Sequence, residues 1–338
     1  MTPAKSDPAP STVSFPIEKW TPLNFHWEDD EAVVEWCDFK DMAFTDPFFI
    51  DTFFRLQDKY IDNHTRKLAM DSLLDNSPSG TIDPSGFIFH ISRCGSTLVS
   101  RTLGNLDHVL ALGEPDPILG FLEHRHKLPP ATQKRLFKKL IHFLGNPRRT
   151  SERHFVIKFT SFNLFDIDFI LSVFPDTPWT FVYRHPAEVI SSVLEKPTGF
   201  FRMKQEPEVA TQFLDVPGET IANMSDQEYL GRFLAKMFDQ ISSQTLPHRK
   251  RALFVNYNRL PVAIGHEIAN HFSIPLNHED NAKIHYFSQH YSKSRGEAVL
   301  FSPEREKREL GPLWEQVRPW VETSYRRMQQ AEALQAQS

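Results

Sequence analysis

From residue 86 onward, short apolar runs alternate with stretches of helical period, and nothing else in the chain restricts its fold as much. "GFIFHI" begins at Gly86, "HFVIKF" at His154, "WTFVYR" at Trp179 and "ALFVNY" at Ala252. Each run is short and rich in aromatic and β-branched residues, as buried strands are. A helix from about Ser96 follows the first run. "PPATQKRLFKKLIHFLG" carries Leu136, Phe137, Leu140, Ile141 and Leu144 in a helical stripe. "NLFDIDFILSVFP" reads as a helix stopping near Pro175, "PAEVISSVLE" as one begun by Pro186, and "VAIGHEIANHF" as another. "SDQEYLGRFLAKMFDQI" opens with Ser225 and Glu228, a capping box. Strands alternating with helices predict an α/β fold: a mainly parallel sheet with helices on both faces.

The chain of 338 residues suits one large α/β domain, or such a domain with an appended segment. "DNSPSGTIDPSG" (75–86) is a dense turn cluster and marks the internal boundary. Residues 1–15, rich in Pro, Ser and Ala, read as a disordered arm. Residues 16–78 read as an N-terminal element packed on the core, 79–327 as the main domain and 328–338 as a flexible polar tail. In the N-terminal element, "FTDPFFIDTFFRLQ" offers Thr45 as an N-cap and Pro47 in the first turn of a helix. The 29 phenylalanines are expected mainly to fill the core, with a share left to line a pocket. Two cysteines, Cys37 and Cys94, are too few for a disulfide scaffold and suit a cytoplasmic location. A net charge of −5 gives no basic bias toward nucleic acid or an anionic membrane. The N-terminus lacks a signal-type apolar region, and no run of about 18 apolar residues predicts a membrane span.

In sheets of this kind, ligands bind beyond the carboxyl ends of the strands. After the first run comes "SRCGSTL". Gly95 lets a ligand approach the backbone, the amides that follow open a helix, Arg93 adds a charge, and Ser96 and Thr97 add hydroxyls. Lys158 closes the second run and Arg184 the third. Ser192 stands eight residues after Arg184, about two helical turns on. A solvated charge closing a strand would explain any one of these cations; three in succession suggest a shared task. A metal-dependent nucleotide site would call for GxxxxGK[ST] and an acidic strand end. Neither motif is present, so the strand ends are read as neutralising a multiply anionic ligand with protein cations.

"SRCGSTL", "VIKFT" and "YRHPAEVISSVL" resemble the PAPS-dependent sulfotransferases, especially bacterial members with an "SRSGSTLL" loop. The resemblance spans residues 86–195; "FVNYNRL" (254–260) is weakly similar to the family's "RYEDL". It implies a P-loop-like sulfotransferase fold and the donor PAPS, 3′-phosphoadenosine 5′-phosphosulfate, with 3′,5′-ADP as product. Arg93, Cys94, Gly95, Ser96 and Thr97 would hold the phosphosulfate, and Arg184 and Ser192 the 3′-phosphate. Cys94 stands where many members have Ser: a passive small residue, or a thiol whose oxidation switches binding. Glu114, in "ALGEPDPI", resembles the "GE" segment of tyrosylprotein-type and related sulfotransferases, where a glutamate is the base. A carboxylate there would take the proton of the acceptor's hydroxyl or amine. Alternatively, Glu114 or Asp116 caps the turn before Pro117, and His90 or His185 is the base. Lys158 would stabilise charge on the bridging or a sulfonyl oxygen. In "HYSKSRGEAV" (290–299), Lys293 and Arg295 would fold over the 3′-phosphate.

Residues 195–220 are read as a loop over the acceptor, with Phe200, Phe201 and Phe213 in contact with it. The His124–His126 pair in "EHRHK" has a metal-like spacing without a third ligand, and is read as a solvated surface. The acceptor is a small molecule, a carbohydrate or a peptide side chain; the N-terminal 75 residues would shape its pocket or a homo-oligomer contact. Two other functions fit the same residues: a metal-dependent small-molecule kinase, and a nucleotide-binding protein without catalysis.

Overall fold

The computed structural model describes residues 16–60, 64–248, 251–288 and 310–335. The proposed arm 1–15, and Lys293 and Arg295, lie outside the described residues. The centre of the fold is a five-stranded, all-parallel sheet of β4 (Pro84–His90), β5 (Val109–Gly113), β6 (His154–Lys158), β7 (Trp179–Tyr183) and β8 (Ala252–Asn256), in the order β5-β6-β4-β7-β8. Its strands are almost entirely buried, which is why they read as continuous apolar runs instead of alternating ones. Rings interlock through it: Phe89 and Phe159 stack 4.8 Å apart, and Phe87 meets Phe159 edge-on at 5.2 Å. The α/β expectation is met. The strand leaving the turn cluster, β4, is central; the chain passes next to the edge strand β5, returns through β6 beside β4, and then adds β7 and β8 on the other side.

β5 was not among the four expected strands. "VLALG" has no aromatic and one β-branched residue, so its local preference is weak; pairing with β6 from Val109↔His154 to Gly113↔Lys158 makes it a strand.

The N-terminal element is an antiparallel sheet of β1 (Thr21–Glu28), β2 (Glu31–Cys37) and β3 (Thr65–Ala69) with a helix, Phe49–Lys59. Asp29 and Asp30, at φ 46° and 63°, form the two-residue turn between β1 and β2, with the twist that hairpins favour. This sheet lies directly on the main domain. A Cβ at Gly120 would fall 1.9 Å from the Phe25 carbonyl oxygen, so only glycine lets the helix Asp116–His124 approach β1. Trp36 packs edge-on against Phe143 at 4.8 Å and donates to Ser72 Oγ at 3.1 Å. The helix begins at Phe49 rather than at Thr45, because Asp46 is used otherwise: its carboxylate accepts from Thr52 Oγ1 and Arg55 Nε.

Two expectations need correction. Residues 195–220 are not a loop over the site. They form short helices, Gly199–Arg202, Pro207–Leu214 and Gly218–Asn223, and the prolines that suggested a loop start helices instead. Phe200 is buried and stacks on Phe233 at 5.1 Å, so its ring belongs to the core; Phe213, 5.1 Å from Phe165, and Phe201 are partly buried and pack against it. Nor is the tail loose as far as it is described. The helix Gly311–Gln335 runs through it, Met328 is buried, and Tyr183 donates to Glu332 Oε2 at 2.5 Å. Among the described residues no helix is long and apolar enough to cross a membrane, and no three metal-ligating side chains are grouped, at His124 and His126 or elsewhere.

Candidate functional site

All five strands of the large sheet point their carboxyl ends the same way, so the residues following them share one edge. In spatial order these are Glu114 after β5, Lys158 at the end of β6, His90 and the Arg93 loop at β4, Arg184 after β7 and Tyr257 after β8. Four interstrand spacings make this a row of roughly 19 Å. The connection leaving β4 runs toward β6 and β5, and that leaving β7 runs toward β8. The topological switch therefore lies between β4 and β7, flanked by Arg93 and Arg184, where open parallel sheets form their binding crevice.

The β4 loop turns sharply. Arg93 has φ 62° and Gly95 φ 85°, and Gly95 is the N-cap of the helix Ser96–Gly104, which has no side-chain cap. The open amides of its first turn are the anion-binding feature expected of this motif. Ser96 and Thr97 are buried within that turn. Gly95 is required twice over: by its left-handed backbone, and because a Cβ there would lie 2.8 Å from Leu260 Cδ1 and 3.0 Å from Tyr257 Cδ2. Gly95→Ala should destabilise the protein by about 1–2 kcal/mol in urea unfolding; a loss under about 0.5 kcal/mol would mean the loop relaxes freely.

Arg93 Nε donates to Ser192 Oγ at 2.8 Å. The loop after β4 and the helix Pro186–Glu195 after β7 are thus joined across the switch, although 99 residues separate the two side chains. Arg184 is buried; its guanidinium lies 4.1 Å from the Tyr257 ring centroid and donates to Glu188 at 3.4 Å. Tyr257 belongs to the "FVNYNRL" stretch, yet no local signal marks its ring as the bed of Arg184. Arg259, from the same stretch, pairs with Glu267 and lies 3.6 Å from Glu332.

The Cys94 thiol donates to the Ile91 carbonyl at 2.6 Å and is 1% exposed. It turns into the loop, so the passive reading of this residue is the one the structure favours; an oxidant would have to open the loop to reach it.

On the other side of β4, Lys158, Glu114 and His90 form one cluster. Lys158 is fully buried and its ammonium donates to Glu114 Oε1 in a short ion pair. Glu114 keeps 26% of its side chain exposed, has φ 53°, and donates its backbone N–H to the Lys158 carbonyl at 2.7 Å. A left-handed backbone at a non-glycine residue is costly and persists only where its surroundings hold it, as they do here. Burial would raise the Glu114 pKa; the Lys158 charge and the nearby His90 outweigh it and hold the carboxyl down at about 2.

His90 is buried, with Nδ1 2.9 Å from the Ile91 carbonyl oxygen, Nε2 3.0 Å from that of Phe159, and Nε2 3.7 Å from Glu114. Carbonyl oxygens only accept, so both ring nitrogens must donate, and only the imidazolium has two N–H groups. The pKa agrees: burial works to lower it, yet the neighbouring Cys94 and Glu114 push it up to about 9. His90 is therefore a fixed cation, not a free base. His185 accepts from the Ala187 N–H at 3.3 Å as the N-cap of its helix and packs on Trp314, a structural role. Asp116 is the first residue of its helix; burial, above all, raises its pKa to about 6, and its Oδ2 is a buried atom with no hydrogen-bond partner among the described residues.

The residues expected from sequence thus fall into two groups along one edge: Arg93, the Gly95–Thr97 turn, Ser192 and Arg184 at the switch, and Glu114 and Lys158 beside it, linked by His90. No family model matches the chain, and no curated protein matches it. Among solved structures it is similar to the sulfotransferase domain from the curacin biosynthetic pathway, with 14% identity, 74% of this chain and 98% of that chain covered, and a TM-score of 0.42. It is also similar to a sulfotransferase from Alicyclobacillus acidocaldarius, with 12% identity, 74% and 96% covered, and a TM-score of 0.42. A sulfotransferase from Mycobacterium avium is similar at 14% identity over 73% of this chain and 78% of that chain, with a TM-score of 0.40.

Proposed function

We propose that this protein is a sulfotransferase that moves a sulfonate group from PAPS to a hydroxyl or amine of an acceptor. The observation that carries the reading is the topological switch between β4 and β7, the place where open parallel sheets bind ligands. An uncapped helix start behind Gly95 faces it, and Arg93 and Arg184 stand on either side. This donor set, backbone amides plus two guanidiniums and a hydroxyl, suits a ligand with two separate anionic groups.

In the transfer, the acceptor's oxygen or nitrogen forms a bond to sulfur. The bond from sulfur to the bridging oxygen of PAPS breaks, the electron pair leaves with 3′,5′-ADP, and the acceptor's proton passes to a base. Amides 96 and 97 and Arg93 would bind the phosphosulfate, and Arg184 and Ser192 the 3′-phosphate. Lys158 would offset charge on the departing oxygen, reinforced by the His90 imidazolium one strand away. Glu114 is the proton acceptor in this reading. Paired with Lys158 it is a weak base, so it serves best when the Lys158 charge is shared with the sulfonate.

Isothermal titration with 3′,5′-ADP tests the reading. Binding in the micromolar range is expected, and it should not require Mg²⁺. No heat of binding at high micromolar concentration overturns the proposal. Turnover of ATP that disappears with EDTA would instead favour a kinase.

A further inference from the structure

The N-terminal element reaches the strand ends. A Cβ on Gly113, at the end of β5, would lie 2.6 Å from the Pro47 carbonyl oxygen and 3.6 Å from Phe48 Cα, so the segment 46–48 rests directly on the approach to Glu114. The centroid of the Phe48 ring is 5.1 Å from Lys158 Nζ. Phe48 is half-buried between Pro47 and Phe49, which are both buried.

The segment is held from behind by residues remote from the strand ends. Asp46 accepts from Thr52 Oγ1 at 2.8 Å and from Arg55 Nε at 2.9 Å, and Arg55 donates to the Ala43 carbonyl at 2.7 Å. Phe44 and Phe49 stack 5.4 Å apart, and both pack on Phe39. The main chain at Phe44 also lies against the helix of the β4 loop: its carbonyl oxygen is 3.3 Å from where a Cβ of Gly104 would stand. A hydrogen-bonded turn and an aromatic cluster thus fix one ring over one ammonium.

We propose that Phe48 is a positioning residue of the transfer site: its ring shields the Lys158–Glu114 pair from water, so that the N-terminal element supplies an apolar wall for the acceptor. The inference rests on the sulfotransferase reading and extends it to the acceptor side. An acceptor with an apolar body beside its hydroxyl or amine fits such a wall, whereas water does not. Water is the competitor that matters. If its oxygen bonds to sulfur, the sulfur–oxygen bond to 3′,5′-ADP breaks, sulfate leaves, and the protons pass to Glu114 and solvent.

Phe48→Ala and Phe48→Leu in the full chain test this without knowledge of the acceptor. With PAPS alone, Phe48→Ala should raise the rate of sulfate release about fivefold, with Phe48→Leu between it and wild type. With no nucleotide present, the Glu114 carboxyl carbon followed by NMR should titrate higher in Phe48→Ala than in wild type, because water then screens the Lys158 charge. Affinity for 3′,5′-ADP should stay within about twofold of wild type, since the groups proposed to bind its two phosphates follow β4 and β7, whereas Phe48 lies over Lys158 at the end of β6. Retained 3′,5′-ADP affinity with unchanged sulfate release and unchanged titration overturns the role of Phe48. If wild type does not bind 3′,5′-ADP, the sulfotransferase reading fails instead. The carboxyl titration then decides alone, and an unchanged Glu114 rejects the shielding by Phe48.

Discussion

Lys158→Met should lower the unfolding free energy by about 3 kcal/mol, roughly 4 °C in Tm, although methionine nearly matches the lysine stem in shape. Lys158 is fully buried and its ammonium is the nearest cation to Glu114. Without it, a largely enclosed carboxylate keeps only His90, 3.7 Å away, and loses most of what offsets its desolvation. The remaining exposure of Glu114 places the loss at the lower end for a broken buried pair. The double variant Lys158→Met/Glu114→Gln should recover at least half of it, because no charge is then stranded. Urea unfolding at pH 5.5 is the measurement; a single variant as stable as wild type would show that the pair contributes nothing net.

The choice of pH follows from the two shifted groups. Glu114 has its folded pKa depressed from 4.5 to about 2, so its contribution is present above 4.5 and is lost as pH falls through 2. His90 has its folded pKa raised from 6.5 to about 9, so its contribution is complete below 6.5 and is lost as pH rises through 9. Both are fully present only between 4.5 and 6.5. In Glu114→Gln the acid-side loss should vanish, and the alkaline loss should shift to lower pH because His90 has lost its carboxylate.

Arg184→Ala should weaken 3′,5′-ADP binding about 30–100-fold while changing affinity for 5′-AMP less than about threefold. The guanidinium is buried against Tyr257 with Glu188 beside it, so its orientation is set before a ligand arrives. A pre-oriented, desolvated cation makes strong charge-assisted hydrogen bonds to a phosphate. Arg184→Lys should recover little, since an ammonium neither stacks on the ring nor presents two parallel donors. Parallel titrations with the two nucleotides give the ratio. An equal loss for both would remove Arg184 from the 3′-phosphate.

The switch-side residues were visible in the sequence because each sits within a few positions of a strand end. A run such as "GFIFHI" and the turn after it identify Gly95, Arg93 and the amide turn together, and β6 and β7 identify Lys158 and Arg184 in the same way. The Phe48 ring and the Tyr257 bed could not be read so, because each meets its cation only through packing between elements distant in sequence. The helices of residues 199–223 are hidden in the sequence for a related cause. Proline marks a break in a local pattern, and whether it ends a loop or begins a helix depends on what the next turn packs against, here Phe233 and Tyr229.

By itself, then, the sequence determined the parallel α/β sheet and the cationic, glycine-turned strand ends, because period and turn chemistry act over a few neighbouring residues. The tertiary structure alone decided three things. It made His90 an imidazolium by closing two carbonyl oxygens on its ring, and it made Glu114 and Lys158 one buried pair. It also set the N-terminal element over that pair. Protonation and solvent access depend on what surrounds a group in space, and those surroundings come from β4, β5, β6 and the segment before residue 49, which only folding brings together.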